Sequence, residues 1–169
     1  MDKTNRKLAS LPIFAGLSKA ELDLFSERFI KEYFPAGTQI VKQGYGGLKI
    51  YVLMEGRVEV YKTVDGDKVK ITSLEPTETF GELSVVDGEP ASASIDAELD
   101  CVTLSLGRDD FYGILESSRE VEAKVWRNLL VALCVRLRAT TDQVQDYFGI
   151  NKALCDNETF RSFYKLFYS

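Results

Sequence analysis

The run Phe80-Gly81-Glu82-Leu83-Ser84-Val85-Val86-Asp87-Gly88-Glu89-Pro90-Ala91-Ser92-Ala93-Ser94-Ile95 gathers a glycine, a carboxylate and several hydroxyls within a few positions. A short helix opening at Gly81 presents backbone N–H groups without partners inside the helix, and their partial positive charge suits an anion. Gly81 also lets a bound group approach the backbone closely. Glu82 stands at the same end, where a carboxylate is favoured by the helix dipole whether or not it touches a ligand. Ser92 adds one neutral hydrogen-bonding group. This is the chemistry of binding an anion.

Bond-making chemistry has little to work with. The chain of 169 residues contains no histidine, which removes the commonest general base and the commonest neutral metal ligand together. Histidine-based triads and metal sites are excluded, and no residue is assigned as catalytic or metal-ligating. Cys101, Cys134 and Cys155 are odd in number and scattered, so reduced, mostly buried structural thiols are expected in preference to a disulfide frame or a zinc site. A net charge of −5 argues against a generic binder of nucleic-acid backbones. The start, MDKTNRKLASLPIF, lacks the apolar core of a signal peptide, and no apolar run approaches the roughly 18 residues that span a bilayer. A cytoplasmic protein with no membrane partner is expected.

The elements that must position the segment follow from periodicity. A hydrophobic content of 45% and a charged content of 28% are those of a globular chain with one core. Ser18, with Glu21 as its capping-box partner, opens a predicted helix running to Tyr33, with Leu22, Phe25, Phe29 and Ile30 on its apolar face. Before it, Leu11, Ile13, Phe14 and Leu17, broken by Pro12 and Gly16, read as a packed turn. After Pro35 and Gly37 the period changes to two: TQIVKQ, KIYVLMEG, RVEVYK, DKVKITSL, ASASIDAE and CVTLSL are short strands of a roll, sandwich or barrel. Asp65-Gly66 is the strongest hairpin signal and Glu55-Gly56 a weaker one.

From Arg108 the period returns to about 3.6. It predicts a helix over Asp109–Leu115 and a longer one from Arg119 to beyond Asp142, carrying the apolar stripe Val121, Val125, Leu129, Ala132, Leu133 and Val135. A last helical pattern begins near Asn157 and carries Phe160, Phe163, Tyr164, Phe167 and Tyr168, either as an ordinary capping helix, which is favoured, or as an aromatic lid.

FGELS, a short turn with a proline, and then ASASI resemble the phosphate-binding cassette of the cyclic-nucleotide-binding domain family, which includes kinase regulatory subunits, gated channels and bacterial activators. LxxLPIFAGLSKAELDLF, FPAGTQIVKQG and IYVLMEGRVEVYK support the resemblance, which covers Leu8 to Thr141. It implies a mainly β fold with α: an antiparallel, jelly-roll-like β-roll (a double-stranded β-helix) flanked by N-terminal and C-terminal helices. The expected division is a helical segment over 1–34, the roll over 35–107 with the cassette at 80–95, and C-terminal helices over 108–169.

By the same resemblance the domain is a regulatory or sensor module, not an enzyme. Its ligand would be cyclic AMP or cyclic GMP, held by Phe80, Gly81, Glu82, Leu83, Ser84, Ala91, Ser92 and Ala93, with Glu82 accepting a hydrogen bond from a ribose 2′-hydroxyl. No separate cofactor is expected. The C-terminal helices would carry the signal and pair in a homodimer or dock a partner protein, with Val121–Leu133 as the pairing face. Bacterial activators of the family continue into a helix-turn-helix, for which too little chain follows Asp142, so direct DNA binding is not expected.

One position departs from the pattern. Members that bind cyclic nucleotide carry, where Ala91 stands, an arginine that pairs with an exocyclic phosphate oxygen. Hydrogen bonds from such a permanently charged fork to an anion contribute about 1.5–3 kcal/mol, so its loss implies roughly ten- to a hundred-fold weaker binding. The alternative is a degenerate domain that no longer binds nucleotide and serves in dimerisation or protein interaction. Lys42, Lys49 and Arg57 lie on expected strands from which a side chain can reach inward, although most such residues face solvent.

Overall fold

In the computed structural model, Lys3–Asp156 are described, with side chains from Asn5 to Gln145. The chain divides into two compact units, Met1–Asn128 and Leu129–Ser169. The first begins with α1 (Lys3–Ala9), a 3-10 turn (Pro12–Phe14) and α2 (Lys19–Ser26). Eight strands follow: β1 (Ile30–Phe34), β2 (Gln39–Val41), β3 (Lys49–Glu55), β4 (Val58–Val64), β5 (Asp67–Leu74), β6 (Thr79–Phe80), β7 (Ser94–Ala97) and β8 (Cys101–Gly107). The short helix α3 (Glu82–Asp87) interrupts them, and α4 (Arg108–Ser117) and α5 (Arg119–Asp156) close the order.

The strands form two four-stranded antiparallel sheets, ordered β1-β8-β3-β6 and β2-β7-β4-β5. Consecutive strands alternate between the two sheets except for the β4–β5 hairpin, as in the expected roll. The central strands of the first sheet, β3 and β8, are buried on both faces, which is why β3 reads as a continuous apolar run rather than an alternating one. Tyr51 and Leu53 enter the roll's interior with Val58, Leu74, Phe80, Ile95, Ala97 and Cys101. Ile50 and Val52, which pair with Leu106 and Leu104 of β8, are buried on the opposite face. On the helical side Phe14 packs on Phe25 with ring centroids 4.7 Å apart, and Trp126 stands edge-on to Phe111 at 6.0 Å.

The predicted helix from Ser18 to Tyr33 is too long. Its start is as expected: the Ser18 N–H donates to Glu21 Oε2 at 2.6 Å and the Glu21 N–H to Ser18 Oγ at 3.3 Å. It ends at Ser26, however, and Ile30–Phe34 is a strand paired with β8 from Ile30↔Ser105 to Phe34↔Cys101. Ile30, expected on the helical apolar face, and Tyr33, expected at the helix's end, are largely exposed. Tertiary pairing of a β-branched and aromatic stretch overrides the local period here. The short strand β6 was not expected, whereas α1 falls within the helical segment expected over 1–34. The hairpin at Asp65-Gly66 is present, with φ of 54° and 93°, the left-handed pair that a two-residue turn requires.

Helix α5 starts where expected and reaches Asp156. Within the first unit Val121 and Val125 are buried, Lys124 donates to Glu21 Oε1 at 2.9 Å, and the Asn128 amide donates to the carbonyls of Ile13 (3.2 Å) and Ala15 (2.8 Å). The early stripe therefore covers the chain's own body. In the second unit Leu130, Val131, Val135 and Leu137 are exposed. Cys101 is buried but Cys134 is exposed, a correction to the expectation of mostly buried thiols, because Cys134 lies in a stretch of α5 where most side chains are exposed. The Cys155 side chain and the pattern from Asn157 to Tyr168 lie outside the described residues. Among those described, no helix is long and apolar enough to cross a membrane, and no cluster of acidic or thiol side chains is arranged to hold a metal.

Candidate functional site

Strand β6 delivers the chain into α3 through a constrained corner. Phe80 is buried and its ring stacks on Tyr51 of β3, centroids 4.9 Å apart and planes 9° from parallel. Gly81 follows at φ +79°, and a Cβ there would lie 2.3 Å from the carbonyl oxygen of Lys49. Only glycine meets both conditions. At the far end of α3 the Tyr112 hydroxyl donates to the Val86 carbonyl at 3.3 Å, and the Arg108 guanidinium lies 5.4 Å from the Tyr112 ring. A cation beside the carbonyl end of a helix is the favourable arrangement.

The return of the cassette is fastened to the loop between β2 and β3. The Ala91 N–H donates to the Tyr45 carbonyl at 3.0 Å, and the Ala91 carbonyl accepts from the Gly44 N–H at 2.8 Å. The Gln43 N–H donates to Ser94 Oγ at 2.9 Å. Beside these bonds an open cavity of about 410 Å³ lies between the cassette and the second and third strands. Its walls are Ile40, Val41 and Lys42; Tyr45, Gly46, Gly47 and Leu48; Lys49 and Tyr51; Gly81 and Ser84; and Ala91.

Three of the eight expected ligand residues, Gly81, Ser84 and Ala91, line this cavity. Phe80 lies beneath it, behind Tyr51. Glu82 is buried in the first turn of α3 but is not part of the wall. Leu83 is 43% exposed, because each helical residue turns about 100° from the last, and Gly81 and Ser84 share a face that Leu83 leaves. Ser92 is exposed and Ala93 half-buried, and neither lines the cavity. Nothing local in the sequence tied Tyr51, or Ile40, Val41, Tyr45 and Leu48, to the cassette.

Of the three basic residues weighed from sequence, Lys42 and Lys49 reach the cavity and Arg57 does not. Arg57 Nε donates to Glu75 at 2.7 Å. Lys49 Nζ lies 3.4 and 3.5 Å from the two carboxylate oxygens of Glu32. The Tyr51 phenol is pushed up to about 12, first by burial and then by the Glu32 carboxylate, so it stays neutral and able to donate at ordinary pH. The wall thus includes two lysines, of which Lys49 is paired with Glu32, hydroxyl-bearing residues and no acidic residue. Its charge suits an anion.

Residues 31–118 match the family described as "Cyclic nucleotide-binding domain". The chain is 34% identical over 128 residues to a cyclic AMP receptor protein of Thermus thermophilus, an alignment covering 75% of this chain and 57% of that one. It is 32% identical over 124 residues to a cGMP-dependent protein kinase of Toxoplasma gondii, covering 73% of this chain and 12% of the kinase. A solved cyclic nucleotide-binding domain from Methylobacillus flagellatus superposes with a TM-score of 0.79 at 25% identity, covering 86% of this chain and 84% of that one. The chain therefore spans little more than half of the first relative and about an eighth of the second. With the roll, the cassette and the cavity all in the matched region, the chain belongs to the cyclic nucleotide-binding domain family.

Proposed function

We propose that the cavity binds cyclic AMP or cyclic GMP weakly and that the chain is a regulatory module, not an enzyme, which passes occupancy on through α5. The observation that carries this is the meeting of Gly81, Ser84 and Ala91 with Lys42 and Lys49 around one cavity whose wall has no carboxylate. The cyclic phosphate would lie near Gly81 and Ala91. Glu82, at the opening of α3, would accept from the ribose. Relatives named for cyclic AMP and for cyclic GMP both match, so both nucleotides are the probes. Weak binding follows from alanine at 91, which leaves the phosphate without a planar charged fork.

The same alanine supports a second reading, in which the pocket no longer takes nucleotide and α5 serves only in association. The exposed Leu130, Val131, Val135 and Leu137 support a homodimer or a docked partner in either case. A cytoplasmic setting is part of this proposal.

The test is calorimetric titration of the native chain with cyclic AMP, cyclic GMP and a cyclic dinucleotide. Weak saturable binding of either mononucleotide is expected, with no binding of the dinucleotide. Submicromolar affinity for a mononucleotide would overturn the assignment of weak binding, and no interaction with either would favour the second reading.

A further inference from the structure

We propose that Lys49 of β3 supplies the countercharge for the ligand's anionic group, in place of a cassette side chain at position 91, by exchanging its carboxylate partner Glu32 for the anion. This deepens the reading of the cavity as a cyclic-nucleotide site and rests on it.

Three observations converge on Lys49. By register it pairs with Gly107 and shares the interior face of β3 with Tyr51 and Leu53. Its carbonyl oxygen lies against Gly81, so its backbone stands at the opening turn of α3, and it lines the same cavity as Ala91. Its ammonium is held by Glu32 at 3.4 and 3.5 Å, nearly equidistant from both oxygens and beyond the usual length of a charged hydrogen bond.

Such a pair is poised for exchange. A lysine is a point charge on a stem of four rotatable carbons, and its side chain here is 37% exposed. A phosphate oxygen at the mouth of α3 would be held by Lys49 together with backbone N–H groups. Lys42, which has no ion-pair partner among the described residues, adds positive potential at the rim. The exchange leaves the Glu32 carboxylate without its cation, which offsets part of the gain and keeps the native affinity low. Arg57 has no such role, because it lies outside the wall and is bound to Glu75.

The experiment measures cyclic AMP, cyclic GMP and phosphate-free adenosine and guanosine on the native chain and on Lys49→Met, Lys49→Arg, Glu32→Gln and Ala91→Arg. Binding is followed by amide shifts in NMR, which also report the fold of each variant. Lys49→Met should weaken the cyclic nucleotides about tenfold or more and leave the nucleosides unchanged, whereas Lys49→Arg should retain cyclic-nucleotide binding. Glu32→Gln, which frees the ammonium, should strengthen the cyclic nucleotides a few-fold. Cyclic-nucleotide binding that Lys49→Met and Glu32→Gln leave unaltered, or that appears only in Ala91→Arg, overturns this inference alone. If neither the native chain nor Ala91→Arg binds a cyclic nucleotide, the reading of the cavity itself is overturned.

Discussion

The Cα of Gly81 stands so close to Lys49 that an added methyl would meet the Lys49 carbonyl oxygen at 2.3 Å, in a backbone conformation of φ +79°. The carbonyl belongs to β3, which is hydrogen-bonded to β8 on one side and β6 on the other, so it has little room to retreat. Gly81→Ala should therefore cost at least about 1–2 kcal/mol from the left-handed conformation alone, with the clash added. It should also move α3 away from the cavity. A chemical-denaturation midpoint equal to the native one would refute this.

Restoring arginine at the departing position tests the rest of the pocket. Ala91→Arg should strengthen cyclic-nucleotide binding about ten- to a hundred-fold, and Glu82→Ala in that background should weaken it again. Affinities from calorimetry check both steps. No gain on adding arginine would mean that the cavity does not hold the phosphate at 91.

The Thr103 side chain is 0% exposed, and its hydroxyl has no hydrogen-bond partner among the described residues. Its register partners Leu53 and Glu32 place it on the interior face of the first sheet. Replacing an unpartnered hydroxyl by a methyl of the same shape removes a desolvation cost, so Thr103→Val should raise stability by about 1 kcal/mol. A destabilised variant in thermal denaturation would show that the hydroxyl is bound when the protein is in solution.

Tyr51 gives the alkaline side of the stability profile a recognisable source. Its phenol rises from the ordinary value of 10.0 to about 12 in the folded chain, so the unfolded chain loses its proton first. The contribution is fully present below about 10 and declines as pH rises towards about 12. Tyr51→Phe should flatten the fall in denaturation midpoint across that window relative to the native chain. Parallel curves would contradict the assignment.

The exposed apolar residues late in α5 predict association. If Leu137, 68% exposed, lies in a pairing surface, the native chain should be a dimer at tens of micromolar and Leu137→Glu should dissociate it without lowering the melting of the roll. Light scattering that finds the native chain monomeric at that concentration would sink the proposal.

How much of this was legible in advance depended on how far apart the interacting residues lie. Ser18 and Glu21 cap each other three positions apart, and Asp65-Gly66 turns a hairpin by its own backbone freedom. Both were read correctly because their causes are local. Ile30–Phe34 was misread as helix because its partner, Cys101–Ser105, is brought in only by the fold. Leu83 and Ser92, named for the site, fall outside the cavity wall because the orientation of α3 and its return is set by contacts with Lys49 and Tyr45.

By itself the sequence determined the family, the coarse order of helical, all-β and helical segments, the glycine at the mouth of α3 and the missing charge at Ala91, since each is a matter of residue type at short spacing. It could not sort Lys42 and Lys49 from Arg57. All three sit on or beside alternating strands, and alternation says only that successive side chains point to opposite faces, not which face becomes the inside. Closure of the roll decided that. It set Lys49 against Gly81 and beside Glu32 at the cavity, and left Arg57 to pair with Glu75 away from it.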